Sequence, residues 1–166
     1  MLKEILSAST CAKCRNCCMF LPQSAWELPS FDMKSRDRLQ VAAYDITLTA
    51  DGSRFSVALH YDAAGEAQPC PFLDANSGCT LPLEEKPFAC SLWPVRVMQK
   101  DGKRYLTMYR GCDGLPETRA DAVKSLLQNG LSARITKELE ADPTLLLPYH
   151  ENYLILQEIE CQEPDE

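Results

Sequence analysis

Four thiols stand within eight residues in the stretch CAKCRNCC: Cys11, Cys14, Cys17 and Cys18. Cys70, Cys79, Cys90 and Cys112 follow at wider intervals, and Cys161 stands apart in an acidic tail. Cysteine sulfur can crosslink, exchange electrons or bind soft metal ions. Crosslinking suits small secreted domains, and a disulfide between adjacent Cys17 and Cys18 would be strained. Thiol redox catalysis calls for one CxxC at a helix N-terminus in a βαβ frame. Here two CxxC gaps overlap at Cys14, and no such frame surrounds them. Metal ligation accounts for more of the pattern than either alternative.

A two-residue gap lets the chain fold back so that both thiolates reach one ion. Successive CxxC gaps, with a remote cysteine followed by proline, are the spacing of bacterial-type iron–sulfur loops, and Cys70-Pro71 fits the remote place. A zinc site made of four cysteines more often draws a CxxC pair from each of two knuckles, and the chain has no second knuckle. The spacing therefore leans slightly to an iron–sulfur cluster while leaving zinc open. Side chains of neighbouring residues diverge in extended backbone. Cys17 and Cys18 are thus expected on two centres or on one multi-metal cluster, and eight ligands divide naturally into two neighbouring four-ligand centres. Lys13 and Arg15 either offset thiolate charge or simply face solvent, the second being the simpler reading.

Other chemistry is thinly represented. His60 and His150 are single and unclustered, and Trp26 and Trp93 read as packing residues beside the loops. The chain has no GxSxG, P-loop or GxGxxG motif. Its 166 residues carry a formal charge of −7, which argues against a nucleic-acid groove or an anionic membrane surface. No apolar stretch has the length of a membrane span. The segment MLKEILSAST lacks the apolar run of a secretory signal, so a cytoplasmic location is expected.

The elements that must position the thiols read as an α+β class with one domain over 1–166: a cysteine-rich region over 11–114 and a helical extension over 115–160. MLKEILSAS is expected to form a short helix leading into the Cys11 loop. MFLPQSAWELPSF, with Pro22 and Pro29, is expected to be extended or irregular, and DMKSRDRLQ to form a short polar helix. Ile46 and Leu48, then Phe55, Val57 and Leu59, alternate around Asp51-Gly52 and predict a hairpin. A second hairpin is predicted around Asp101-Gly102, with Val95 and Val97 before the turn and, after it, Leu106 and Met108 on one face and Tyr105, Thr107 and Tyr109 on the other. Between them, the Pro- and Cys-rich stretch from Pro69 to Pro94 looks organised by ligation rather than by a core. Val123, Leu126 and Leu127 make a helical stripe ending at Asn129-Gly130, and Leu131, Ile135 and Leu139 make another ending before Pro143. YLILQEI fits either a strand or a helix.

CAKCRNCC, CPFL, GCTLPLEEKPFACSLWP and GCDG together resemble the CxxCxxCC cysteine-cluster family (YkgJ-like), described as a zinc- or iron-chelating domain. The resemblance covers about residues 11 to 114. Its motif residues fall on Cys11, Cys14, Cys17, Cys18, Cys70, Leu73, Cys79, Pro87, Cys90, Pro94 and Cys112. Lys86 stands where the family usually has arginine. The resemblance implies metal ions bound by the eight cysteines. It leaves open an iron–sulfur-dependent, protein-modifying enzyme (lysine-methylase-like), and a structural zinc domain for a protein partner.

Overall fold

The structure, a computed structural model, describes residues 2, 5–39 and 41–159. Cys161 and the rest of the tail lie outside them. The helices are α1 (Ala8–Cys14), α2 (Phe88–Leu92), α3 (Ala120–Leu126) and α4 (Ser132–Ala141). The strands of the first half are β1 (Met19–Phe20), β2 (Phe31–Asp32), β3 (Ile46–Leu48), β4 (Arg54–Val57), β5 (Gln68–Pro69), β6 (Leu73–Asp74) and β7 (Gly78–Cys79). Those of the second half are β8 (Val95–Lys100), β9 (Lys103–Tyr109), β10 (Leu146–Pro148) and β11 (Tyr153–Ile159). The class is α+β. Among the described residues no helix is long and apolar enough to cross a membrane.

The chain divides into two compact units, one formed by Met1–Cys14 with Leu92–Glu166 and the other by Arg15–Ser91. The first unit is built on a four-stranded sheet of order β10-β8-β9-β11, in which only the β10–β8 pair is parallel. Its central hairpin turns at Asp101 (φ 51°) and Gly102 (φ 78°), the doubly left-handed turn that an Asp-Gly pair favours. Val95, Val97, Leu106 and Met108 are buried together, as the alternation requires. The opposite face is covered too. Met98 and Thr107 are fully buried, and the Thr107 hydroxyl donates to the Arg96 carbonyl at 3.2 Å. YLILQEI is a strand, β11, paired with β9 and carrying a register shift between Ile155 and Gln157. The helices α3 and α4 meet at a kink on Asn129-Gly130 and bury Val123, Leu127, Ile135 and Leu139.

The second unit has short strands and a small apolar core. Phe31, Val41, Phe55, Val57 and Phe72 form that core, with Met33, Leu39, Ile46, Leu81 and Cys70 packed around it. The first predicted hairpin is present as β3–β4, pairing Ile46 with Val57 and Leu48 with Phe55. β2 adds to the other edge of β4. Phe31 stacks on Phe55 at 5.4 Å between ring centroids and tilts against Phe72 at 5.4 Å.

Three local expectations need correction. The first helix is α1, starting later than MLKEILSAS suggests and running through Cys11 and Cys14. Residues 1, 3 and 4 of that segment lie outside the described ones. Ser7 explains the start, since its Oγ accepts the Thr10 amide at 3.2 Å and supplies the cap a helix N-terminus needs. Pro22 does not prevent helix in the next segment. It sits in the first turn of a 3-10 helix over Pro22–Glu27, where its missing N–H costs nothing. DMKSRDRLQ shrinks to one 3-10 turn at Met33–Ser35, capped by the Asp32 carboxylate accepting the Lys34 amide at 2.8 Å.

Candidate functional site

The two units share the cysteines unequally. Cys11, Cys14 and Cys112 belong to the first, and Cys17, Cys18, Cys70, Cys79 and Cys90 to the second. Five fall in the second unit and three in the first. All eight are thiols rather than halves of disulfides, seven of them half-buried and Cys112 buried.

In the first unit Cys11 and Cys14 lie three residues apart on α1, hence on neighbouring positions of one helical surface. Cys112 opens a turn closed by the Leu115 amide donating to its carbonyl at 3.1 Å. Gly114 lets that turn approach α1: a Cβ there would collide with the Leu6 side chain and stand 3.2 Å from Thr10 Cγ2.

The second unit gathers its five sulfurs from four segments. Arg15, left-handed at φ 56°, ends α1 and starts a 3-10 turn over Asn16–Cys18. β1 follows and pairs antiparallel with β5, setting Met19 opposite Pro69. The Cys70 amide extends this ladder by donating to the Cys18 carbonyl at 2.7 Å. Cys70-Pro71-Phe72-Leu73 then turns, with the Leu73 amide donating to the Cys70 carbonyl at 2.9 Å. That leaves the Phe72 amide aimed at the Cys70 sulfur, a hydrogen bond that favours the thiolate. The Phe72 ring, on the same residue, is anchored in the core. β6 and β7 return the chain so that Cys79 opposes Leu73. Asp74 holds the tip of this hairpin by accepting the Asn76 and Ser77 amides at 3.0 and 2.7 Å. Cys90 sits on α2. The loop before it is tied back by Arg38, whose guanidinium donates to both Glu85 oxygens at 2.6 and 3.3 Å.

Electrostatics registers this gathering. The Cys18 thiol is pushed far above its ordinary range by its hydrogen bond with Cys17, by burial, and by the charges of Cys17, Cys70 and Cys90. Burial raises Cys70 first of all, and Cys79 and Cys17 add to it against the Phe72 amide. Neighbouring thiols thus oppose the ionisation of Cys18 and Cys70, and a bound cation would reverse that sign. As placed, no three His, Cys, Asp or Glu side chains among the described residues stand together as a ready metal-holding group. Cys17 Sγ and Cys18 Sγ stand 3.8 Å apart as a pair.

Both histidines have partners other than sulfur. His60 Nε2 pairs with the Asp45 carboxylate at 2.9 Å on the exposed surface, and His150 Nδ1 accepts the Asn152 amide at 3.2 Å. Trp93 packs on Tyr109 at 5.1 Å and beneath the Arg96 guanidinium at 4.7 Å, a packing role as expected. Lys13 is exposed in the last turn of α1. The contribution that sequence reasoning missed is the Phe72 amide, and its signal was the Cys-Pro dipeptide, which makes a turn at that point.

No protein-family model matches the chain, no curated protein is significantly similar to it, and no solved structure matches it. The resemblance to the cysteine-cluster family therefore stands on the motif residues alone.

Proposed function

We propose that this chain is a metal-binding protein that holds zinc or an iron–sulfur cluster through its cysteine thiolates. The observation that carries the reading is the backbone hydrogen bond that ties Cys70 to Cys18 beside the paired sulfurs of Cys17 and Cys18, in the unit that also holds Cys79 and Cys90. Soft, partly buried sulfur that faces other sulfur suits a thiophilic cation. A turn that points a backbone amide at one of those sulfurs stabilises the ionised form that ligation requires. Cys11, Cys14 and Cys112 form the second ligand group, on the other unit. Zinc would supply a fixed tetrahedral tie between loops, and an iron–sulfur cluster would supply electron transfer. The chain's own part is to hold the donors, exclude water from Cys112, and keep Phe72 as the anchor of one ligand loop.

Elemental analysis of anaerobically purified protein tests the proposal, together with thiol titration before and after chelation. Metal at one or more equivalents, with thiols that become reactive on its removal, is expected. Metal-free protein with eight freely reactive thiols that takes up neither zinc nor iron would overturn it. Visible absorbance separates the two cofactors, since a brown protein carries iron–sulfur and a colourless one zinc.

A further inference from the structure

We propose that Cys17 and Cys18 grip a single metal ion together, as a vicinal bidentate chelate. This rests on the proposed function and adds which neighbouring thiolates share an ion. Two thiolates at about 2.3 Å from one tetrahedral ion lie about 3.8 Å apart. The sulfurs of Cys17 and Cys18 are 3.8 Å apart.

Extended backbone would turn adjacent side chains to opposite faces, which is why the sequence alone suggested two centres or one multi-metal cluster. The backbone here is not extended. Asn16–Cys18 is a 3-10 turn, closed by the Cys18 amide donating to the Arg15 carbonyl at 2.8 Å. Successive side chains on such a turn are separated by about 120° rather than 180°, and the rotamers of this pair close the remaining gap. Extended backbone resumes only at Met19 (φ −120°, ψ 121°). The left-handed Arg15 on one side and the β1–β5 ladder on the other fix both ends of the turn, so the pair is held in advance of binding. Cys70 is tied to Cys18 by its backbone amide at 2.7 Å, which makes it the first candidate to add a further donor.

Cadmium, a thiophilic probe ion visible by NMR, tests this on the full chain under anaerobic conditions. In a correlation of cadmium-113 with cysteine β-protons, the protons of Cys17 and Cys18 are expected on one cadmium resonance. Followed by thiolate-to-cadmium absorbance, Cys17→Ser and Cys18→Ser should each weaken the same ion at least tenfold. The double variant should lose that ion and no other. Correlations to two different cadmium resonances, or losses that add to two ions in the double variant, would overturn the chelate while leaving metal binding intact. A chain that takes up no cadmium, zinc or iron would remove the proposed function, and the chelate with it. The wild-type correlation keeps the test independent of whether the variants fold.

Discussion

The Cys70 amide donates to the Cys18 carbonyl at 2.7 Å, so two cysteines far apart in sequence are joined by backbone before any sulfur contacts a metal. The bond continues the β1–β5 ladder and makes the position of these ligands a property of sheet pairing. Around it a small aromatic core orders the second unit, and under the proposed function ligation would share that work.

That division predicts the effect of removing metal. A structural thiolate site contributes on the order of 10 kcal/mol, comparable to the whole stability of a domain. Chelator, or acid that protonates the ligands, should therefore strip amide-exchange protection first around Cys70, Cys79 and Cys90. Helices α3 and α4, with Val123, Leu127 and Ile135 buried on their own apolar stripe, should keep theirs. Equal protection of the three loops in metal-free protein would show that ligation does not hold them.

Phe72 links core to ligand loop. It is buried against Phe31, while its amide serves the Cys70 sulfur. Phe72→Ala keeps the amide and removes the ring, at an expected cost of about 3–4 kcal/mol. Denaturant unfolding of the loaded protein measures the loss. Metal affinity should fall in parallel, because the loop loses its anchor.

Arg15 occupies left-handed backbone, which costs a residue other than glycine, asparagine or aspartate about 1–2 kcal/mol. Arg15→Asn and Arg15→Val both delete the guanidinium, and only asparagine tolerates that conformation readily. The asparagine variant should be the more stable by about 1 kcal/mol or more in anaerobic denaturation. Equal midpoints would mean the turn before Cys17 relaxes without penalty.

Asp51 supplies a pH prediction. The Thr49 hydroxyl and the Ser53 amide and hydroxyl donate to its carboxylate and lower its pKa from 3.8 to about 2. The folded value lies below the unfolded one, so the stabilisation is fully present above pH 3.8. It is lost as pH falls through about 2. Carboxyl NMR titration should find the low value in the wild type and a return towards the ordinary value in Thr49→Val. An Asp51 that titrates normally in the wild type would show that the turn does not close in solution.

Cys161 lies outside the described residues, in a polar, acidic tail. Cys161→Ser should leave metal content unchanged, in contrast to Cys14→Ser. Proportional losses in the two variants would break the separation of eight ligands from one bystander.

What could be read from the sequence was whatever depends on local chemistry. Asp101-Gly102 specifies its turn because its backbone needs positive φ at both residues. Val123, Leu127, Ile135 and Leu139 announce their helices through spacing, and Asn129-Gly130 marks the kink between them. YLILQEI could not be resolved because a short apolar run has no period of its own, and its pairing with β9 decides the matter. The site was legible in residue type and not in arrangement. The eight cysteines are legible as a set, while the boundary between the two compact units, between Cys14 and Arg15 inside the opening motif, carries no sequence signal of its own. Nothing in CAKCRNCC marks Arg15 as left-handed, and that residue ends the helix carrying Cys11 and Cys14.

The discontinuity of the first unit has a consequence for synthesis. Arg15–Ser91 is one unbroken segment and can complete its fold while the ribosome is still adding residues behind it. The first unit begins with α1 but needs β8, β9, β10 and β11 to close its sheet, so α1 emerges early and waits for the end of the chain. Cys11 and Cys14 are therefore exposed on the nascent polypeptide longer than any other thiols of the motif. Cys112, the third thiol of that unit, is made only after the whole of Arg15–Ser91.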